Sequence, residues 1–277
     1  MGLKSLLPNS LKTSLKKVIP IEMIDRLELL TGERDALTPP SRMIFIGDGD
    51  FKAVGVKSVD HIKELVGLHS TDNILDVGSG IGRVAIPLTD YISAPGSYDG
   101  IEIVKNGVDW CTKEVTKRFP HFRFHHLNVY NKMYNPLGTM QGHELRFPFE
   151  SSTFSLVILN SVFTHMLEND FEQYLAEISR VMKKGGRAYI TMFLLNSESR
   201  KANAEGKSLY GRQLTPFTER TMVHIQELPE SMIAFDEVYT KEAFQKAGLT
   251  IRTINYGSWV GRTGTIDYQD LLYVVKL

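Results

Sequence analysis

From residue 70 onward, short apolar runs alternate with amphipathic stretches, and this rhythm is the main fold signal of the chain. Runs at 73–77, 98–103, 122–127, 154–160 and 186–195 are rich in β-branched, aliphatic and aromatic residues and too short for helices, so they predict strands. Between them apolar residues recur at helical spacing. The clearest stripe is Phe171, Leu175, Ile178 and Met182, which follows Asn169 with Glu172 as a capping partner and stops at Lys183-Lys184-Gly185-Gly186. The helix after Gly82 contains Pro87, which must lie in its first turn or kink it. A helix over 241–247, closed by Gly248, precedes two more strand patterns at 249–256 and 271–276. Alternation of this kind implies an α/β fold whose mainly parallel sheet is covered on both faces.

Two long stretches do not fit a plain connection. Residues 128–153 and 197–235 fall where loops at the C-terminal ends of parallel strands line a ligand crevice. The second reads as a lid or small helical cap, with apolar anchors in Leu209-Tyr210-Gly211, Pro216-Phe217 and Met222-Val223-His224-Ile225. Ahead of the repeat pattern, residues 1–20 carry Lys4, Lys12, Lys16 and Lys17 without an acid, beside Leu3, Leu7, Leu11, Leu15 and Val18 at helical spacing. This basic amphipathic segment, counted as 1–43 up to the Thr38-Pro39-Pro40-Ser41 break, reads as a helix packed on its own domain or on a second subunit of a homo-oligomer. Peripheral contact with an anionic membrane is the other reading. Phe45 to Phe51 is a turn-rich loop ahead of a helix near 59–66, and residues 44–277 form the main domain.

Composition narrows the class. A 42% hydrophobic content supplies an ample core, and Lys+Arg equals Asp+Glu at 32 each, so no overall basic field draws nucleic acid to the chain. The single Cys111 sits among Val104, Val108 and Val115 at helical spacing and reads as a small buried apolar residue. No apolar run approaches membrane-spanning length and no signal-peptide core opens the chain, which predicts a cytoplasmic protein.

The densest chemistry lies in Asp72-Asn-Ile-Leu-Asp-Val-Gly-Ser-Gly-Ile-Gly-Arg83, where a strand carries Asp76 into a glycine loop that opens a helix. Gly78, Gly80 and Gly82 let backbone approach a ligand, while Asp76 disfavours a phosphate there and suits an ammonium group. Arg83 stands where a dinucleotide fingerprint needs its third glycine. Twenty residues after Gly82, at the end of the second strand, Glu102 is placed to accept both ribose hydroxyls.

On these residues the chain resembles the class I S-adenosylmethionine (SAM)-dependent methyltransferases, whose first motif reads acid-x-Gly-x-Gly-x-Gly and whose second strand ends in an acid. The resemblance covers about 70–196 and 238–277. It implies a Rossmann-like three-layer sandwich with a mainly parallel seven-stranded sheet and an antiparallel C-terminal hairpin strand. It also implies SAM as cofactor, with Asp76, Gly78, Ser79, Gly80 and Gly82 at the methionine end and Glu102 and Ile103 at the ribose. Asn128 and Val129 would meet the adenine, and Asn160 would lie beside the sulfonium.

Methyl transfer to an alcohol requires loss of a proton, and His165, just past the fourth strand, is the candidate catalytic base. A helix-start or packing role is the competing reading. Tyr134, Trp259 and Arg262 are candidate acceptor-binding residues, because aromatic and hydrogen-bonding groups together suit a polyhydroxylated acceptor. Asn160-Ser161-Val162-Phe163 is not the Asn/Asp-Pro-Pro-Tyr pattern of adenine or glutamine-amide methylation. His125 and His126 are adjacent on a strand and face opposite ways, so no metal is predicted. The leading expectation is an O-methyltransferase acting on a small-molecule hydroxyl, of a sugar, glycan precursor or secondary metabolite. A non-catalytic SAM-fold partner-binding subunit and an N-methyltransferase on a small amine are the alternatives.

Overall fold

The computed structural model describes residues 21–277 apart from Glu33, Asp48, Leu209 and Tyr210, so the expectations for residues 1–20 lie outside the described residues. Helices α1 (Ile21–Leu30) and α2 (Phe51–Val66) come first, and α2 begins where the Asp50 carboxylate accepts the Ala53 N–H at 2.7 Å. Strand β1 (Asn73–Val77) then leads through the glycine loop into the short α3 (Ala85–Leu88), which holds Pro87 inside a single turn. Next come β2 (Ser97–Glu102), α4 (Lys105–Cys111), β3 (Phe122–His126), β4 (Phe154–Leu159), α5 (Glu168–Val181) and β5 (Met182–Met192).

After β6 (Leu194–Leu195) the chain forms α6 (Ser197–Ala204), β7 (Thr215–Pro216), β8 (Thr221–Val223) and β9 (Ile233–Asp236). Helix α7 (Glu237–Lys246) and the hairpin of β10 (Leu249–Asn255) and β11 (Asp270–Lys276) complete it. The main sheet has seven strands in the order β10-β11-β5-β4-β1-β2-β3, parallel from β5 to β3 and antiparallel at β11 and β10.

Strand alternation builds two cores. Leu75, Val77, Val157, Leu159, Ala188 and Ile190 face α5 and α7, meeting Phe171, Leu175, Ile178 and Phe244. Ile74, Tyr98, Leu156, Ile158 and Tyr189 face the other way, onto Val59 and Ile62 of α2, Ala85 and Leu88 of α3, and Val108 and Cys111 of α4. Helices on both faces of a mainly parallel sheet make the three-layer sandwich.

Local details differ from the sequence expectation. Leu167, not Asn169, stands at the N-cap of α5, and Glu172 instead accepts from the Tyr239 hydroxyl and Lys246, both at 3.0 Å. Lys183 to Gly186 belong to the start of β5 rather than to a helix stop, since the β4 register jumps from Phe154↔Met182 to Leu156↔Arg187 across them. The 197–235 stretch carries a helix and three short strands, which join β6 in a second sheet ordered β6-β9-β8-β7. Parallel pairing of Leu194 with Phe235 and Leu195 with Asp236 ties it to the end of the main sheet.

Asp270, fully buried at the start of β11, fastens this junction. Its carboxylate accepts from Leu194 N at 2.8 Å, Gly257 N at 2.7 Å and the Trp259 indole at 3.0 Å. Burial lifts its pKa to about 6, which leaves it ionised at neutral pH. Asp270→Ala strands three buried donors and should lower unfolding free energy by roughly 3–5 kcal/mol in urea titration, whereas a loss below about 1 kcal/mol would show the junction holds without it.

Candidate active site

The loop after β1 hangs from the end of β2, because Gly78 N and Ser79 N both donate to Ile101 O, at 2.8 and 3.1 Å. Gly78 and Gly80 adopt φ of 75° and 58°, the left-handed region open to glycine. A Cβ at Gly78 would collide with a Val162 methyl, so the loops after β1 and β4 pack directly on each other.

Glu102 ends β2 and folds onto this loop. One oxygen accepts Gly80 N–H at 2.7 Å, and the other accepts the N–H groups of Ile103 and Val104, each at 2.8 Å. Three of a carboxylate's roughly four acceptor positions are therefore engaged, so the expected open fork for two ribose hydroxyls is not free in this conformation. Burial nonetheless pushes the Glu102 pKa up, against the lowering by its three N–H donors.

Asp76 lies behind the loop, 1% exposed, accepting the Tyr98 hydroxyl at 2.5 Å. Ser79 turns its side chain toward Gly100, where an added Cβ would stand 2.7 Å from its Oγ, and so packs under the loop rather than over it. At the end of β3, Asn128 is exposed and donates to Thr139 Oγ1 at 3.0 Å, while Val129 is buried with its N–H on Leu127 O at 2.8 Å.

The β4 end carries a polar chain that sequence reasoning met only in part. Asn160 donates to Ser58 Oγ of α2 at 3.2 Å and accepts from Thr191 Oγ1 at 3.4 Å. Ser161 holds a φ of 63°, costly for a residue with a side chain, and its N–H is secured by Thr191 Oγ1 at 2.7 Å. Gln269, from the β10–β11 connection, donates to Ser161 Oγ at 2.8 Å. Nearby, Asp267 approaches both Lys57 Nζ and His61 Nδ1 at 3.3 Å. Thr191, Gln269, Ser58 and His61 lack a motif, and their one sequence signal is a polar residue inside or beside an apolar run.

His165 and Tyr134, predicted separately, meet. His165 Nδ1 lies 2.7 Å from Glu230 O of the insertion, and a carbonyl only accepts, so Nδ1 carries the proton. Nε2 then presents its lone pair, 3.5 Å from the Tyr134 hydroxyl, with the two rings edge to face at 5.2 Å. Burial holds the His165 pKa below its usual value, against the Glu230 bond, which keeps the ring neutral at pH 7. Burial first, then the Glu102 charge, raises that of Tyr134.

The other two acceptor candidates, Trp259 and Arg262, both lie in the β10–β11 connection. Trp259 is fully buried against Phe193 with its indole on Asp270, out of reach of an acceptor entering from solvent. Arg262 is engaged by Glu198 at 3.0 Å, Gly257 O at 3.2 Å and the Tyr256 ring at 5.0 Å, a bracket between hairpin and insertion.

A family model described as a methyltransferase domain matches residues 75–190, from β1 into β5. Over those residues this chain is similar to methyltransferase domains. The fold is similar to that of the PH0226 protein from Pyrococcus horikoshii OT3, at 16% identity and a TM-score of 0.56 over 85% of this chain and 95% of that one. It is also similar to the [4+2]-cyclase SpnF, at 16% identity and a TM-score of 0.50 over 79% of this chain and 80% of that one. Among the described residues, no helix is long and apolar enough to cross a membrane.

Burial, partly offset by the Tyr98 bond and reinforced by Glu102, lifts the Asp76 pKa from 3.8 to about 7. The folded protein therefore binds this proton more tightly than the unfolded chain does. The stability it contributes is full below about pH 4 and is lost as pH rises through about 7. Urea titrations from pH 4 to 7 should show a flatter decline for Asp76→Asn than for the native protein, and parallel declines would refute the assignment.

Proposed function

We propose that the protein transfers the methyl group of SAM to a hydroxyl of a small-molecule acceptor, such as a sugar, glycan precursor or secondary metabolite, with His165 as general base. The observation that carries this reading is the fixed tautomer of His165: Nδ1–H on Glu230 O and the Nε2 lone pair facing Tyr134. A base must be neutral and aimed to take a proton as the alcohol attacks, and burial keeps this ring neutral.

The donor set around the glycine loop fits SAM. Glu102 keeps one acceptor position for a ribose hydroxyl, and a second opens if one of its N–H partners is released. Asn128, exposed at the end of β3, would meet the adenine amino group through its side-chain oxygen, with Val129 beside it. Asp76, behind the loop, would offset the methionine ammonium through the loop rather than by contact. SAM brings an already activated methyl group, so the protein's work is positioning and proton removal.

Tyr134 would border the acceptor, since its hydroxyl is 3.5 Å from Nε2 and feels the Glu102 charge. The insertion serves catalysis by supplying the carbonyl that sets the His165 tautomer. A structural likeness to a cyclase makes the reaction itself the thing to test.

With an alcohol acceptor found by screening sugars and phenols against methyl-labelled SAM, His165→Gln should lower kcat roughly 10²–10⁴-fold. S-adenosylhomocysteine affinity should stay unchanged. The native rate should climb as pH passes the depressed His165 pKa, below 6.5, and level off above it. Full turnover by His165→Gln, or a profile without that limb, would remove His165 as base.

A further inference from the structure

Arg83 is the residue of the glycine motif that neither the cofactor nor the base accounts for. Its guanidinium donates to Ile46 O, and to Gly47 O at 3.0 Å, in the segment just before α2. The same group stacks on the Phe51 ring at 5.6 Å, and a Cβ at Gly55 would collide with the Arg83 carbonyl oxygen, so the first turn of α2 is pressed against the arginine from end to end. The Ile44–Gly47 strap held in this way reaches the cofactor loop itself. Ile46 Cδ1 lies 3.1 Å from where a Gly80 Cβ would stand, and the Phe45 ring lies 3.2 Å from the corresponding point on Gly107, in the helix that follows Glu102. The strap therefore bridges the two elements, Gly80 and the start of α4, that Glu102 joins from below.

We propose that Arg83 is a positioning residue that latches the Ile44–Gly47 strap across the cofactor loop, so that the strap must lift before cofactor product leaves. The proposal rests on SAM lying on the Gly78–Gly82 loop. Arg83 is 9% exposed and binds main-chain carbonyls, so the latch is insensitive to the strap's side chains while the cover is made by Ile46 and Phe45. Loss of a charged donor bound to two carbonyls should appear mainly in the off-rate.

The test uses the full chain loaded with labelled S-adenosylhomocysteine, released by rapid dilution. Arg83→Ala should dissociate the ligand at least about tenfold faster than the native protein, Arg83→Lys should fall between them, and Ile46→Gly should also speed release with Arg83 in place. Hydrogen exchange adds a readout that simple destabilisation would not mimic. S-adenosylhomocysteine should slow exchange of the 44–47 amides in the native protein and fail to do so in Arg83→Ala. If Arg83→Ala does not fold, Ile46→Gly carries the test. Native release rates in folded variants, or 44–47 exchange indifferent to ligand, would overturn the latch alone. Failure of the native protein to bind S-adenosylhomocysteine would instead overturn the cofactor placement and the latch with it.

Discussion

The site depends on one carboxylate holding three main-chain N–H groups. Glu102 closes the end of β2 onto Gly80 of the loop after β1 and onto Ile103 and Val104 at the entry to α4. Those elements come from separate parts of the sheet edge, and without a charged acceptor between them their buried donors would stand unsatisfied. Charge-assisted bonds of this kind are both stronger and more directional than neutral ones, so the loop is held in one shape before any ligand arrives. Preorganisation here has an electrostatic cost: burial raises both Glu102 and Asp76, and the two charges share one low-dielectric pocket beneath the loop.

A second constraint joins the insertion to the chemistry. The small sheet is continuous with the main fold through β6 and β9, and Asp270 fastens the hairpin to the same junction. That placement brings Glu230 O to His165, so a segment outside the common sandwich decides which imidazole nitrogen is free. The parallel sheet supplies the glycine loop and Glu102, and the turn between β8 and β9 supplies the carbonyl that fixes the His165 ring. Fold alone leaves the acceptor and the reaction open.

The strands were legible because a parallel sheet buried on both faces demands continuous apolar runs such as Ile74-Leu75 and Leu156 to Leu159, each fully buried. The glycine loop and Glu102 were legible because backbone geometry at that turn and a charge at the strand end admit few residue types. Other features left no trace in spacing. The His165–Glu230 bond uses a main-chain carbonyl, which any residue supplies. Trp259 and Arg262 read as acceptor residues because an aromatic and a cation in a glycine-rich hairpin suit a ligand, and spacing does not show that buried Asp270 holds the indole and Glu198 of the insertion engages the guanidinium. Strands of two or three residues, as in β7 and β8, are too short to show a period.

The central claim is that Glu102 organises a SAM site at the end of β2. Calorimetric titration of S-adenosylhomocysteine into the native protein and into Glu102→Ala tests it most directly. Micromolar binding by the native protein, weakened roughly 10–100-fold in a folded Glu102→Ala variant, is the predicted result. Equal affinity in the two proteins, or no binding by the folded native chain, would contradict it.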